Sequence, residues 1–245
     1  MSDHLHDNHR TRMRERIREQ GCEKLQAHEL LEYLLYAYVP RKDTNALAHA
    51  LIRKFGSLSG VLESDPAMLA SVPNMTDNAA LFLSTLPSVL KRYQLDKLGE
   101  RPMLATPQQL RAYVLPLLQN DNEEHIFMLA VDNAGRLATR CELGVGSAEE
   151  CQLLTRKLVM MCHNLQAPNL YLVHNHPSGA VQPSVKDIEF TKWAAASLEM
   201  MGILLIDHVI VARGAIYSFL YDGHLREYRN RYYDFMNSTE ISDTK

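Results

Sequence analysis

At 245 residues with 46% apolar side chains, the chain can bury a sizeable core, and its length fits one or two domains. A formal net charge of −3 excludes a generally basic protein, so any nucleic-acid contact would have to come from a local patch. No apolar run approaches the roughly 18 residues of a membrane helix, the start MSDHLHD lacks the features of a secretory signal, and Cys22, Cys141, Cys151 and Cys162 form no C-x-x-C pair, so a cytoplasmic protein with reduced thiols and no membrane contact is expected.

The chain opens on Arg10, Arg12, Arg14, Arg16 and Arg18, which at every second position spread around a helix rather than lining one face. Glu15 and Glu19 interleave with them as ion-pair partners, and residues 1–104 carry 14 basic against 13 acidic side chains, so a solvated helix is expected. LQAHELLEYLLYAY (25–38) is an apolar helix that stops at Pro40. Thr44-Asn45 opens a second helix ending at Gly56, Asp65-Pro66 caps a short third, and Thr76 caps DNAALFLSTLPSVLKRY. These elements predict an all-helical module over residues 1–104, with the boundary in the polar stretch DKLGERPM (96–103).

The pattern then changes. Thr106-Pro107 starts a helix, HIFMLAVD (125–132) and RLATRCELG (136–144) read as strands, and Asp132-Asn133-Ala134-Gly135 joins them as a hairpin turn. Ser147-x-x-Glu150 is a capping box for a helix to about Gln166. NLYLVH (169–174), ILLIDHVIVA (203–212) and AIYSFL (215–220) are strands, with a helix over 184–201 between the first two. Residues 105–223 therefore predict an α/β (α+β) domain, a mixed sheet flanked by helices, followed by a polar, tyrosine-rich tail over 224–245.

The chemistry concentrates in VHNHPSGAVQPSVKD (173–187). His174 and His176 lie two apart at a strand end, so both imidazoles project from one face. Pro177 and Gly179 end the strand, and Ser184 begins a helix whose first turn carries Asp187. Two imidazoles and a carboxylate, with a fourth position for water, are the ligand set of a catalytic zinc, one per chain. The competing expectation is that Ser184 and Asp187 only form a capping box while the histidines are polar loop residues.

H-N-H-P-S-G followed by P-S-x-x-D resembles the JAMM (MPN-type) metalloprotease motif in the version of bacterial RadC-like proteins. Residues 105–220 resemble the metalloprotease domain and residues 8–95 the RadC helical module; the D-H pair of LLIDHVIVA is also typical of RadC relatives. The resemblance implies a glutamate general base at the start of the first long strand, where Glu124 stands with Glu123 as its neighbour and rival, and a role for the Ser184 hydroxyl at the developing oxyanion. It implies hydrolysis of an amide bond, peptide or isopeptide, in an unidentified protein or peptide.

The second reading is a DNA-associated or scaffolding protein whose zinc site is structural or vestigial. RadC-like modules resemble a helix-hairpin-helix with Gly-x-Gly in its turn, but here V-P-N-M-T-D-N-A puts Asn74 and Thr76 in the glycine places, and threonine is poorly suited to left-handed backbone, which argues against nucleic acid as a partner. Asp207 and His208 are candidates either for supporting a metal ligand or for satisfied core residues. No G-x-S-x-G elbow is present, so no serine-hydrolase triad is expected. Neither substrate nor oligomeric state is legible.

Overall fold

The computed structural model describes residues 3–40, 43–118, 122–146, 151–163 and 168–229, which fall into two units, Met1–Arg92 and Tyr93–Lys245. Among the described residues the first unit is helical throughout: α1 (Asp3–Gln20), a short 3-10 turn (Cys22–Lys24), α2 (Ala27–Leu35), α3 (Thr44–Phe55), α4 (Leu58–Leu62), α5 (Pro66–Ala70) and α6 (Asp77–Asp96). Their apolar faces close on Leu31, Leu35, Leu47, Leu51, Val61, Leu69 and Leu83, all buried. Helix starts follow side-chain capping. Asp43 accepts from the Asn45 and Ala46 N–H groups, one residue earlier than the Thr44 start expected; Asp65 and Thr76 cap α5 and α6 as expected. The five-residue α4 has no counterpart among the expected elements, being too short to display a helical period.

Of the α1 arginines, Arg12, Arg14 and Arg18 are exposed as a solvated helix would have them, while Arg10 and Arg16 are engaged by the following elements. Arg10 donates to the Val39 and Pro40 carbonyls and lies over the Tyr36 ring, while Arg16 pairs with Glu29 of α2 at 2.5 Å. In the turn before α6, Asn74 takes the left-handed conformation with φ of 70°. Thr76 meanwhile serves as the cap.

The second unit is a mixed α/β domain. Its elements are α7 (Pro107–Leu118), β1 (His125–Val131), β2 (Leu137–Val145), α8 (Cys151–His163), β3 (Asn169–Asn175), α9 (Val185–Met200), β4 (Leu204–Ala212) and β5 (Ala215–Ser218). One sheet runs in the order β2-β1-β3-β4-β5. β3 and β4 pair in parallel, as a crossover through α9 allows, and the other pairs are antiparallel. The hairpin between β1 and β2 turns at Gly135 with φ of 79°. The expected capping box at Ser147 and Glu150, the helix end near Gln166 and residues 230–245 of the expected tail lie outside the described residues, whereas residues 224–229 are helical and pack Leu225 and Tyr228 into the core instead of forming a polar tail.

Strand alternation divides the apolar residues between two faces. Met128, Leu172 and Ile210 join Phe190 and Leu198 of α9 and Phe219 on one side. Leu129, Val173 and Val209 join Leu110, Val114 and Leu118 of α7 on the other. With both faces covered, β1, β3 and β4 read as nearly unbroken apolar runs. No described helix is long and apolar enough to cross a membrane. Even-numbered positions of β3, and of β4 from His208 onward, face α9, and this parity carries the polar groups described next into the layer between sheet and helix.

Candidate metal centre

β3 ends on His174-Asn175-His176, and the His176 N–H extends the ladder by donating to the Val211 carbonyl of β4 at 2.9 Å. The turn at Gly179 (φ 85°) then folds the chain back so that the Ala180 carbonyl lies 2.7 Å from His176 Nδ1. A Cβ at Gly179 would sit 2.3 Å from Arg213 Nε, so the exposed Arg213 side chain would have to swing aside. At the start of α9, Ser184 Oγ accepts from the Asp187 N–H at 3.2 Å, and Asp187 Oδ2 accepts from the Ser184 N–H at 2.6 Å. The capping box is therefore real, and it also aims Asp187. Its carboxylate is held at the helix N-terminus facing the two histidines.

Three donor atoms meet there. His174 Nε2 lies 3.0 Å from His176 Nε2 and 3.2 Å from Asp187 Oδ1, and His176 Nε2 lies 3.3 Å from Asp187 Oδ2. A tetrahedral metal with bonds near 2.0 Å separates its ligand atoms by about 3.3 Å, so each of these contacts falls near the spacing expected between ligands of such a site.

Counting hydrogens leads to the same place. The Ala180 carbonyl only accepts, so His176 carries its hydrogen on Nδ1. The Thr191 hydroxyl, 2.5 Å from the Asp187 carbonyl, must donate there, and its oxygen accepts from His208 Nδ1 at 2.6 Å. His208 Nε2 then accepts from His174 Nδ1 at 2.9 Å, which leaves Nε2 of His174 bare. With both rings neutral, the two imidazole Nε2 lone pairs face the Asp187 carboxylate, an arrangement suited to a cation at its centre.

A proton on either Nε2 serves the carboxylate in the same way. Burial opposes the charge on Asp187, but hydrogen bonds with His174 and His176 outweigh it and hold the carboxyl far below the usual range. The hydrogen bond with Asp187 raises His176, against its burial. Burial, and then the neighbouring His174, push His208 well below the usual imidazole value, so this fully buried ring stays neutral.

Glu124 completes the cluster. One ligand atom each from Glu124, His174, His176 and Asp187 lie within 4.8 Å of one another, so the four could hold a metal ion. The Glu124 main chain is tied on three sides. Its carbonyl accepts from the Gly146 N–H at 2.7 Å, the Asn175 amide donates to the Glu123 carbonyl at 2.8 Å, and the Asn175 amide oxygen accepts from the His125 N–H at 2.8 Å.

The family described as RadC-like JAB domain matches residues 104–224. A UPF0758 protein of Fusobacterium nucleatum is 30% identical over 230 residues, covering 91% of this chain and 99% of the relative. The chain belongs to the RadC-like JAMM/MPN family. Similar UPF0758 proteins occur in Rhodobacter capsulatus (32% identical, 87% of this chain and all of the relative) and Bordetella pertussis (33%, 86% of this chain and 94% of the relative).

In this RadC-like chain the structure brings Glu124, His174, His176 and Asp187 together. Ser184 stands three residues from Asp187 as the α9 cap, exposed, with its oxygen accepting and its hydroxyl hydrogen left to donate. Of the Asp207-His208 pair, His208 supports a ligand, whereas Asp207 turns to the opposite face and accepts from Ser218 Oγ at 2.5 Å and the Leu220 N–H at 2.9 Å. Sequence reasoning missed Thr191 and Asn175. A hydroxyl one turn after Asp187 on α9, and an amide between two histidines of opposite strand parity, are the signals that could have found them.

Proposed function

We propose that this protein is a zinc-dependent metallopeptidase-type hydrolase that cleaves an amide bond, peptide or isopeptide, in a protein or peptide substrate. The observation that carries this reading is the convergence of donor atoms from His174, His176 and Asp187 beside Glu124, all within 4.8 Å of one another. A nitrogen-rich set with one carboxylate suits zinc, and three protein ligands with one position to spare are the pattern of a catalytic rather than a structural site. When bound, the metal acts as a Lewis acid and lowers the pKa of its water to about 7.

The chain's own groups divide the remaining work. His174, His176 and Asp187 hold the metal, and the α9 cap keeps Asp187 from rotating away. The Glu124 carboxylate takes a proton from the attacking water and returns it to the leaving nitrogen as the C–N bond breaks, so the products are a carboxylic acid and an amine. The Ser184 hydroxyl donates to the carbonyl oxygen as charge grows there, a role in which one donor is worth about 3 kcal/mol. Cys22, Cys141 and Cys162 are free thiols, which favours a reducing cytoplasmic setting.

The test uses the zinc-loaded full chain and a mixed peptide and isopeptide library, with new termini read by mass spectrometry. Cleavage that stops on chelation, returns with zinc and is lost in His176→Ala supports the reading. Cleavage indifferent to chelation, or no cleavage by a chain shown to carry zinc, contradicts it.

A further inference from the structure

We propose that Thr191, which touches neither ligand imidazole, selects the metal-binding nitrogen of His174 by acting through His208. The inference rests on the reading of His174 as a ligand and extends it to a positioning residue four places beyond Asp187 on α9.

The geometry forms a chain with a fixed direction. Thr191 and His208 are both fully buried. Thr191 Oγ1 lies 2.5 Å from the Asp187 carbonyl oxygen and 2.6 Å from His208 Nδ1. Two bare oxygens 2.5 Å apart would repel, so the hydroxyl hydrogen must lie between them, and Oγ1 is left only as an acceptor. His208 therefore places its single hydrogen on Nδ1. The ring is stacked against Phe219 at 5.0 Å with the edge of Phe190 beside it, an apolar setting that opposes a second proton. Its Nε2 must accept, His174 must donate from Nδ1, and the lone pair of His174 is turned onto the cluster. Each step is a donor–acceptor necessity, so one hydroxyl orders two imidazoles.

A threonine hydroxyl bonding back to the carbonyl four residues earlier is ordinary in a helix. What is particular here is that the same oxygen receives His208 and that the carbonyl belongs to Asp187, a second ligand. His174 and Asp187 are thereby tied to each other behind the centre as well as in front of it. Removal of the hydroxyl leaves His208 Nδ1–H facing no acceptor. The ring then gains by moving its hydrogen to Nε2, which forces the His174 hydrogen onto its own Nε2, where it blocks the metal.

The experiment compares the full chain with Thr191→Val, which keeps the shape and deletes the hydroxyl, and Thr191→Ser, which restores it. Imidazole tautomers are read from long-range ¹H–¹⁵N spectra of the metal-free protein, and zinc affinity is measured against a competing chelator dye. The wild type and Thr191→Ser should show Nδ1–H tautomers at His174 and His208. Thr191→Val should show Nε2–H at both and a loss of zinc affinity of about 10- to 100-fold, the usual range for a partner behind a ligand. Unchanged tautomers with unchanged affinity in Thr191→Val would overturn the proposal. Should that variant fail to fold, an Nε2–H tautomer at His174 in the wild type overturns it equally. A wild type with the expected tautomers that binds no zinc would sink the hydrolase reading while leaving the ordering by Thr191 intact.

Discussion

Asn175 brackets Glu124 from both sides, donating its amide to the Glu123 carbonyl and accepting from the His125 N–H, each at 2.8 Å. Asn175 is only 3% exposed, and the two bonds it makes to the more open Glu123 and His125 main chain are part-buried. A strand end that would otherwise fray is tied to β3, and the candidate base sits at the tied point.

Replacement of Asn175 by Ala removes both bonds, each worth about 0.5–1.5 kcal/mol net. The expected result is a lower urea midpoint equivalent to roughly 1–3 kcal/mol, with zinc uptake retained and cleavage reduced because Glu124 is no longer held. A midpoint equal to that of the wild type would show that the bracket carries no load.

Glu124→Gln keeps the shape and removes the base. Zinc affinity should stay within a few-fold of wild type, while turnover falls by about 10²- to 10⁴-fold, the range typical of general-base loss. Full activity in this variant would move the base elsewhere, with Glu123 the first alternative to test.

Gly179 is needed for its positive φ at the turn that brings the Ala180 carbonyl to His176, and a Cβ there would also push aside the exposed Arg213 side chain. Gly179→Ala should displace the turn, draw the Ala180 carbonyl away from His176 and weaken zinc binding. Gly56→Ala is the control. Gly56 has a φ of 84° but open space where a Cβ would stand, so only the backbone strain of about 1 kcal/mol is expected, with zinc binding untouched. Equal zinc affinity in both variants would refute the positional role of Gly179.

Asp207 supplies a pH signature separate from the centre. Burial pushes its carboxyl up to about 6 from an ordinary value near 3.8, although bonds from Ser218 and Leu220 work the other way. Because the folded value is the higher, the native state holds this proton more tightly. The stabilisation is complete below the unfolded value and is lost as pH rises from about 4 through 6, by up to roughly 3 kcal/mol. Urea melts at pH 4, 5, 6 and 7 should show Asp207→Asn losing less stability across this range than the wild type. Parallel curves would place the Asp207 carboxyl near its ordinary value.

Much of this was legible because it is local. The turn at Gly135, the proline start of α7, the parity of His174 and His176 and the Ser184 cap all arise within a few residues. What stayed hidden depends on neighbours in space. His208 is 34 residues from His174 in sequence and meets it only because β3 and β4 lie parallel and adjacent, an order no periodicity reveals. Whether Asp187 caps α9 or faces the histidines looked like a choice, yet one carboxylate does both with its two oxygens. The preference for Glu124 over Glu123 came from resemblance, and its physical ground, the ties made by Asn175 and Gly146, needs the strand pairing to be seen. Arg10 and Arg16 escaped the solvated-helix expectation that fits Arg12, Arg14 and Arg18, because Tyr36, Val39 and Glu29, which engage them, lie on the next helix and the turn after it.

A zinc titration of the purified full chain, followed by calorimetry and by metal analysis after gel filtration, tests the centre most directly. One zinc per chain should bind in the wild type, and binding should be lost in His174→Ala, His176→Ala and Asp187→Ala. A chain that takes up no zinc, or one whose zinc survives all three substitutions, would contradict the site.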